Sequence, residues 1–162
     1  MLKFIKSEYF TNINRITIMH QKILKLYIYI ISKLAHMYIN KSKPIVIWVT
    51  WSVGKTSCRM IIYQTLKAIL DKHNIYTSPK NFNWEIGTAL SIFQIEKFGP
   101  NPWLFLKILA IMIWKVIFDK PWYDIIFIEY WIDHIWEMDL QLGIIKPDFA
   151  IWTGVDMVHA SN

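Results

Sequence analysis

The hydrophobic positions in the first part of the chain follow a helical period. Residues 1–43 are rich in lysine, and their apolar residues recur at spacings of three and four. The positions that define this stripe are Ile23, Leu24, Tyr27, Ile31 and Leu34. Lys41-Ser42-Lys43-Pro44 then interrupts the pattern and has the composition of a linker. We therefore predict a lysine-rich helical N-terminal segment over residues 1–43 that ends in this linker.

Beyond the linker, short apolar runs predict buried strands, and longer segments with helical periodicity separate them. The strand-like runs are Ile45–Thr50, Ile75–Thr77, Asp124–Glu129 and Pro147–Thr153. The helical segments are Lys55–Lys72, Ile86–Phe93, Trp103–Phe118 and Glu137–Ile145. Strands that alternate with helices form βαβ units. Residues 44–162 are therefore predicted to be one α/β domain, with a parallel sheet and helices on both faces.

Polar residues follow three of the predicted strands directly. They are Thr50–Thr56 after the first strand, Glu129 after the third, and Thr153–His159 after the last. In parallel sheets, ligands bind at the carboxyl ends of the strands. The three strand ends therefore predict a binding site at one edge of the sheet.

Composition and charge narrow the class of protein. Hydrophobic residues make up 54% of the 162 positions and charged residues 19%, which excludes a disordered chain. The net charge of +6 comes almost wholly from lysine, and no nucleic-acid motif is present, so we expect no nucleic-acid partner. Cys58 is the only cysteine, which excludes an internal disulfide and fits a reducing cytoplasm. We expect Cys58 to be a small, half-buried residue.

Two apolar stretches are long enough to raise the question of a membrane. Lysines interrupt both 23–39 and 103–118, and neither reaches the roughly 18 uncharged residues expected of a membrane span. We therefore expect buried or amphipathic helices and a cytoplasmic protein. Weak contact of the first helix with a membrane surface stays open as an alternative.

The segment between the first strand and the first long helix has the features of a phosphate loop. Gly54-Lys55-Thr56 supplies a glycine turn, a lysine for the outer phosphates and a hydroxyl for magnesium, just before a helix N-terminus. The candidate nucleotide-binding residues are Thr50, Trp51, Ser52, Val53, Gly54, Lys55, Thr56 and Ser57. The standard phosphate-loop motif has glycine five residues before Gly54, at position 49, where this chain has valine.

Four blocks of the sequence resemble the Mur ligase family, in order and at matching spacing. Residues 48–56 resemble its loop G-x-T-G-x-x-G-K-T/S, and Asn81–Gly87 resembles N-[LF]-N-x-E-[IL]-G of the D-alanyl-D-alanine-adding members. Ile128–Met138 resembles E-[LY]-G-x-[DN]-H-x-G-E-[IM], and Lys146–His159 resembles K-P-D-x-A-x-x-T-x-x-x-x-x-H. The resemblance covers about residue 44 to the chain end. Residues 1–43 do not resemble the family's usual N-terminal domain.

The resemblance implies a P-loop-like fold and an ATP- and Mg²⁺-dependent amide ligase of peptidoglycan precursor synthesis. ATP would phosphorylate a substrate carboxylate, and an amine would attack the resulting acyl phosphate. The implied substrates are a UDP-linked muramoyl peptide and a dipeptide amine. The chain ends at Asn162, before the carbamylated lysine, the adenine-binding residues and the C-terminal domain of the family. We therefore expect a truncated domain that is inactive alone, and a monomer when full length.

The resemblance also assigns roles to individual residues. Lys55 would contact the β- and γ-phosphates, and Thr56 and Glu129 would hold magnesium, as their oxygen chemistry favours. His159 matches the family's histidine near the second magnesium. The residues that would line or shape the substrate site are Asn83, Glu85 and His134.

Tryptophan stands at several positions where the family has glycine: Trp48, Trp51, Trp131 and Trp136, with Trp84 a weaker case. An indole at position 51 would obstruct a backbone that must approach phosphate closely. The chain has nine tryptophans and five glycines, where average usage gives roughly 11 glycines. Our hypothesis is that these tryptophans are UGA codons that the living cell reads as glycine.

Two other readings stay open. One is another ligase of the same superfamily, such as a folylpolyglutamate synthase, which Tyr76–Pro79 faintly resembles and Asn81–Gly87 opposes. The other is a non-catalytic nucleotide-binding or membrane-surface protein with a degraded phosphate loop.

Overall fold

A computed structural model describes residues 22–50, 54–78, 86–97, 101–130 and 135–153 of the chain. The chain divides into two compact units, Met1–Ile30 and Ile31–Asn162. The boundary lies within the first described helix, α1, which covers residues 22–39. The second unit contains the four described strands and the other described helices.

The described part of the second unit is built around a four-stranded parallel sheet. The strands are β1 (Ile45–Thr50), β2 (Ile75–Thr77), β3 (Ile125–Tyr130) and β4 (Phe149–Trp152), and their order is β2-β3-β1-β4. All three pairings are parallel. The prediction of an α/β domain with a parallel sheet is confirmed.

Four helices follow α1 along the chain: α2 (Lys55–Ile69), α3 (Gly87–Ile92), α4 (Pro102–Phe118) and α5 (Ile135–Ile144). Each coincides with a predicted helix, with bounds that shift by up to three residues. The predicted extension of α2 to Lys72 is wrong, because Leu70 leaves the helical region at φ −104° and ψ 59°. No helix within the described ranges is long and apolar enough to cross a membrane.

Successive side chains of each strand point to opposite faces of the sheet, so the core residues lie on both faces. One face carries a buried cluster against which α2 packs through Ile62, Tyr63 and Leu66; the cluster is Ile47, Val49, Ile75, Ile125 and Phe127. The opposite face carries Trp48 and Tyr130, with Thr88 of α3 beside Tyr130. Because α2 and α3 contact β3 from different sides, the central strands are buried on both faces, as their continuous apolar sequences predict.

Candidate functional site

The carboxyl ends of β1, β3 and β4 meet at one edge of the sheet. Val49 lies opposite Glu129 in the register of β1 and β3. The Thr50 hydroxyl donates to the carbonyl of Tyr130 at 3.5 Å, and the Thr153 hydroxyl donates to the carbonyl of Thr50 at 3.4 Å. The predicted convergence of three strand ends is therefore confirmed for the residues that the structure describes there.

Gly54 has the backbone conformation that a loop-to-helix turn of this kind demands. It precedes α2 at φ 80° and ψ 2°, in the left-handed region that favours glycine. A Cβ built on Gly54 would meet no atom within 4 Å. The backbone angle alone, rather than crowding, therefore accounts for glycine at this position.

The first turn of α2 presents the lysine and hydroxyls of the predicted loop. Lys55 is half-buried, whereas Thr56 and Ser57 are exposed. The turn contains no acidic side chain, and the amide groups of a helix N-terminus carry partial positive charge. This end of α2 is therefore electrostatically suited to an anion such as a phosphate group.

Glu129 lies on the face of β3 that α2 covers and pairs there with an arginine of α2. The Nε atom of Arg59 is 3.0 Å from Oε1 of Glu129, and the two side chains are only 3% and 8% exposed. Burial lowers the pKa of Arg59, and the neighbouring Glu129 charge opposes that shift. The pair places a buried carboxylate and its counter-ion close to the start of α2.

Arg59 is a site residue that the sequence reasoning missed. A signal was present, because Arg59 follows Lys55 by four residues and so shares its side of the helix. A charged residue at a core-facing position of an amphipathic helix also indicates a buried partner. The identity of that partner depends on the pairing of α2 with β3, which the sequence pattern does not specify.

The residues present fit a magnesium-bound nucleotide in chemical type. Glu129 offers the hard oxygen ligand that magnesium prefers. Among the described residues, no partner of suitable hydrogen-bond geometry faces Nη1 of Arg59 or Oε1 of Glu129, although both atoms are buried. Such buried polar atoms can still form a hydrogen bond with a ligand or a water molecule. No group of three or more histidine, cysteine or acidic residues that could hold a metal ion by themselves occurs in the described ranges.

Several predicted site residues lie outside the described ranges. They are Trp51, Ser52 and Val53 of the loop, Asn83, Glu85 and His134 of the substrate site, and His159. Trp84 and Trp131 also lie outside, and the side chain of Trp136 is not described. Their assignments stay predictions.

Trp48 is the one described side chain among the tryptophans at family glycine positions. It is buried in β1 and stacks on Tyr130 with ring centroids 3.7 Å apart. It points to the face opposite α2, and its backbone does not have a positive φ. Its indole nitrogen is buried without an acceptor among the described residues. The strand therefore accommodates tryptophan at position 48 sterically, at the cost of an unpaired donor.

Cys58 is half-buried against the core cluster beneath α2, as expected for a small packing residue. Two surface cavities that described residues line, of about 300 and 490 Å³, lie elsewhere. The smaller adjoins the amino end of β1 and the larger the end of α4. Neither contains a predicted site residue.

No family model, curated protein or solved structure matches this chain.

Proposed function

We propose that this chain carries the nucleotide-binding part of an ATP-dependent amide ligase of the Mur type. The observation that supports the proposal most strongly is one juxtaposition. Gly54-Lys55-Thr56 begins α2, the helix that follows β1, and Glu129, the penultimate residue of the neighbouring strand β3, pairs with Arg59 of the same helix.

The strand order supports a P-loop-type arrangement. β3 lies directly beside β1, although β2 separates them in the sequence. A phosphate loop after one strand and a carboxylate at the end of its neighbour serve one nucleotide in P-loop enzymes, where the carboxylate helps to hold magnesium. Val49 and Glu129 occupy the corresponding register here.

In this proposal, the residues of the chain bind and orient the phosphate groups. Lys55 would contact the outer phosphates, Thr56 and Glu129 would hold Mg²⁺, and His159 would belong to a second magnesium site. Bound Mg-ATP would supply the γ-phosphoryl group to a carboxylate of the UDP-linked muramoyl peptide, giving an acyl phosphate and ADP. The amine of the dipeptide would then attack the acyl carbon, forming the amide and releasing inorganic phosphate. Positioning and charge neutralisation contribute most of the catalysis in such transfers.

The proposal includes glycine at positions 48, 51, 131 and 136 in the living cell. Position 51 lies three residues before Gly54, whose left-handed turn leads into α2. A loop backbone that must approach phosphate leaves little room for an indole. Reading the nine tryptophan codons tests this part directly, and UGA at these four positions is the expected result.

Binding of Mg-ATP, measured by calorimetry, tests the function in two versions of the chain. One has glycine at positions 48, 51, 131 and 136 (the glycine chain), and the other has tryptophan there (the tryptophan chain). We expect the glycine chain to bind and the tryptophan chain to bind far more weakly. In the glycine chain, Lys55→Ala should lower the affinity by roughly 10- to 100-fold, since a hydrogen bond to a charged group contributes about 1.5–3 kcal/mol.

Lys67→Ala is the matched control, because Lys67 lies on the same helix but in its last turn. It should leave the affinity unchanged. If the folded glycine chain does not bind Mg-ATP, or if both lysine variants weaken binding equally, the nucleotide site is not where we propose it. UGG codons throughout would instead favour a protein with a degraded loop.

A further inference from the structure

The described part of the chain leaves an apolar face of helix α4 uncovered. Ile108 and Met112 are buried on one side, whereas the opposite side consists of large apolar residues that are 42–79% exposed. We call this side the α4 outer face; with the smaller Ala110, it comprises Trp103, Leu106, Ala110, Ile113, Trp114, Ile117 and Phe118. These positions recur at spacings of three and four, so they form one continuous stripe. A helix at the surface of a protein in water normally carries polar residues there.

The charges around the α4 outer face have one predominant sign. The sequence of α4 contains no acidic residue and two lysines, of which Lys107 is exposed beside the stripe. At the end of the helix, Lys41 and Lys120 line a cavity together with Ile117, Phe118 and one acidic residue, Asp119. The Lys41 ammonium donates to the backbone carbonyl of Asp119 at 2.8 Å, which holds a cation at this end of the stripe. Apolar side chains flanked by lysines complement an anionic lipid surface, because the headgroups carry the opposite charge.

The distribution of aromatic residues agrees with the same partner. Trp103 begins the stripe with 79% exposure, and Phe118 ends it with 71%. Tryptophan is enriched at the boundary between acyl chains and headgroups. The face also belongs to a single helix and therefore presents a long strip, which a bilayer can cover along its whole length.

We propose that the α4 outer face docks on an anionic lipid bilayer, with α4 parallel to the membrane surface. The stripe enters the boundary between headgroups and acyl chains, and Lys41, Lys107 and Lys120 contact the headgroup phosphates. The inference is independent of the nucleotide site, because it uses no residue of that site.

Sedimentation of the full chain with phospholipid vesicles tests the proposal. Vesicles of phosphatidylcholine alone are compared with vesicles that also contain phosphatidylglycerol. We expect binding to the mixed vesicles and much weaker binding to the neutral ones. Leu106→Glu and Ile117→Glu should each weaken binding by about tenfold or more, since each removes a large apolar side chain from the contact. Neither substituted position is a tryptophan, so the two substitutions are the same whichever residue the cell inserts at the tryptophan positions.

The matched control is Ile69→Glu, which makes the same change at a side chain of α2 that is 68% exposed. It should bind the mixed vesicles like the parent chain. Equal binding by the parent, Leu106→Glu and Ile117→Glu would overturn the proposal, because another segment would then hold the membrane. It would also be overturned if the parent self-associates without lipid and Ile117→Glu makes it monomeric, because the face would then join two copies of the chain.

Discussion

At the scale of single residues, the Arg59–Glu129 ion pair places two opposite charges in the described core. Both side chains are almost fully buried, and their closest atoms are 3.0 Å apart. Removing two charges from water costs several kcal/mol each, and their attraction offsets this only in good geometry. A hydrophobic pair would fill the same space without that cost. The magnesium site proposed above would give a reason for a charged Glu129 at this position.

Arg59→Met tests the energetics of this pair. We expect the free energy of unfolding to fall by about 3–5 kcal/mol, because Glu129 is left buried without its counter-ion. The double variant Arg59→Met, Glu129→Leu should recover most of this loss. Urea denaturation measures all three chains. His73→Ala is the control, since His73 pairs with Asp124 at the surface at 3.9 Å, and its effect should stay within about 1 kcal/mol. Equal stability of the single and double variants would contradict the assignment.

At the scale of elements, the strands differ in how much apolar surface they bury. Most residues of β3 are buried, since β1 and β2 flank it and helices cover both faces. β4 lies at the edge of the described sheet and pairs with β1 alone. Its residues Phe149 and Trp152 are 59% and 66% exposed. Edge strands with little burial open at lower free energy than central strands.

Hydrogen exchange measured by mass spectrometry should separate these strands. Amides of β3 and β1 are expected to exchange slowest, through global unfolding. Amides of β4 should exchange at least about tenfold faster, since local opening of β4 exposes little additional apolar surface. Equal protection of β4 and β3 would show that β4 is covered by chain outside the described ranges or by a second molecule.

At the scale of the whole molecule, buried tyrosines couple stability to high pH. Burial raises the pKa of Tyr76 to about 12, and the nearby Glu96 charge adds to the shift. Burial also raises the pKa values of Tyr123 and Tyr130 well above the ordinary value of about 10. The unfolded chain therefore loses these protons at lower pH than the folded chain. Stability is fully present below about pH 10 and is lost as the pH rises through the folded pKa values.

The variant Tyr123→Phe distinguishes the effect of tyrosine ionisation on the free energy of unfolding from the effect of side-chain packing. The Tyr123 hydroxyl donates to the carbonyl of Ile92 at 2.8 Å, so the variant should be less stable by about 1 kcal/mol at neutral pH. Above about pH 10, the parent should lose up to about 1.4 kcal/mol per pH unit more than the variant, because it has one more tyrosine to ionise on unfolding. Urea denaturation at neutral pH and at about pH 11 measures the difference. Parallel pH profiles would contradict the linkage.

Local sequence patterns are sufficient to predict the elements and their class. Short continuous apolar runs predict the described strands, of which the central ones are buried on both faces, and helical periodicity predicts the described helices. The loop pattern predicts a glycine turn at Gly54, and the φ of 80° at this residue shows why it is glycine. Position 75–77 was predicted as a strand from only three residues, and β2 occupies those residues.

Contacts between residues that are distant in the sequence follow only from the tertiary structure. The strand order brings Glu129 beside Val49 and beneath Arg59, a contact that no local pattern encodes. The same holds for α4, whose sequence is apolar apart from Lys107 and Lys115 and therefore fits either a buried or an amphipathic helix. Packing covers one side of α4 and leaves Trp103 and Ile117 exposed on the other. Hydrophobicity determines which residues avoid water, whereas the arrangement of elements determines which of them are covered.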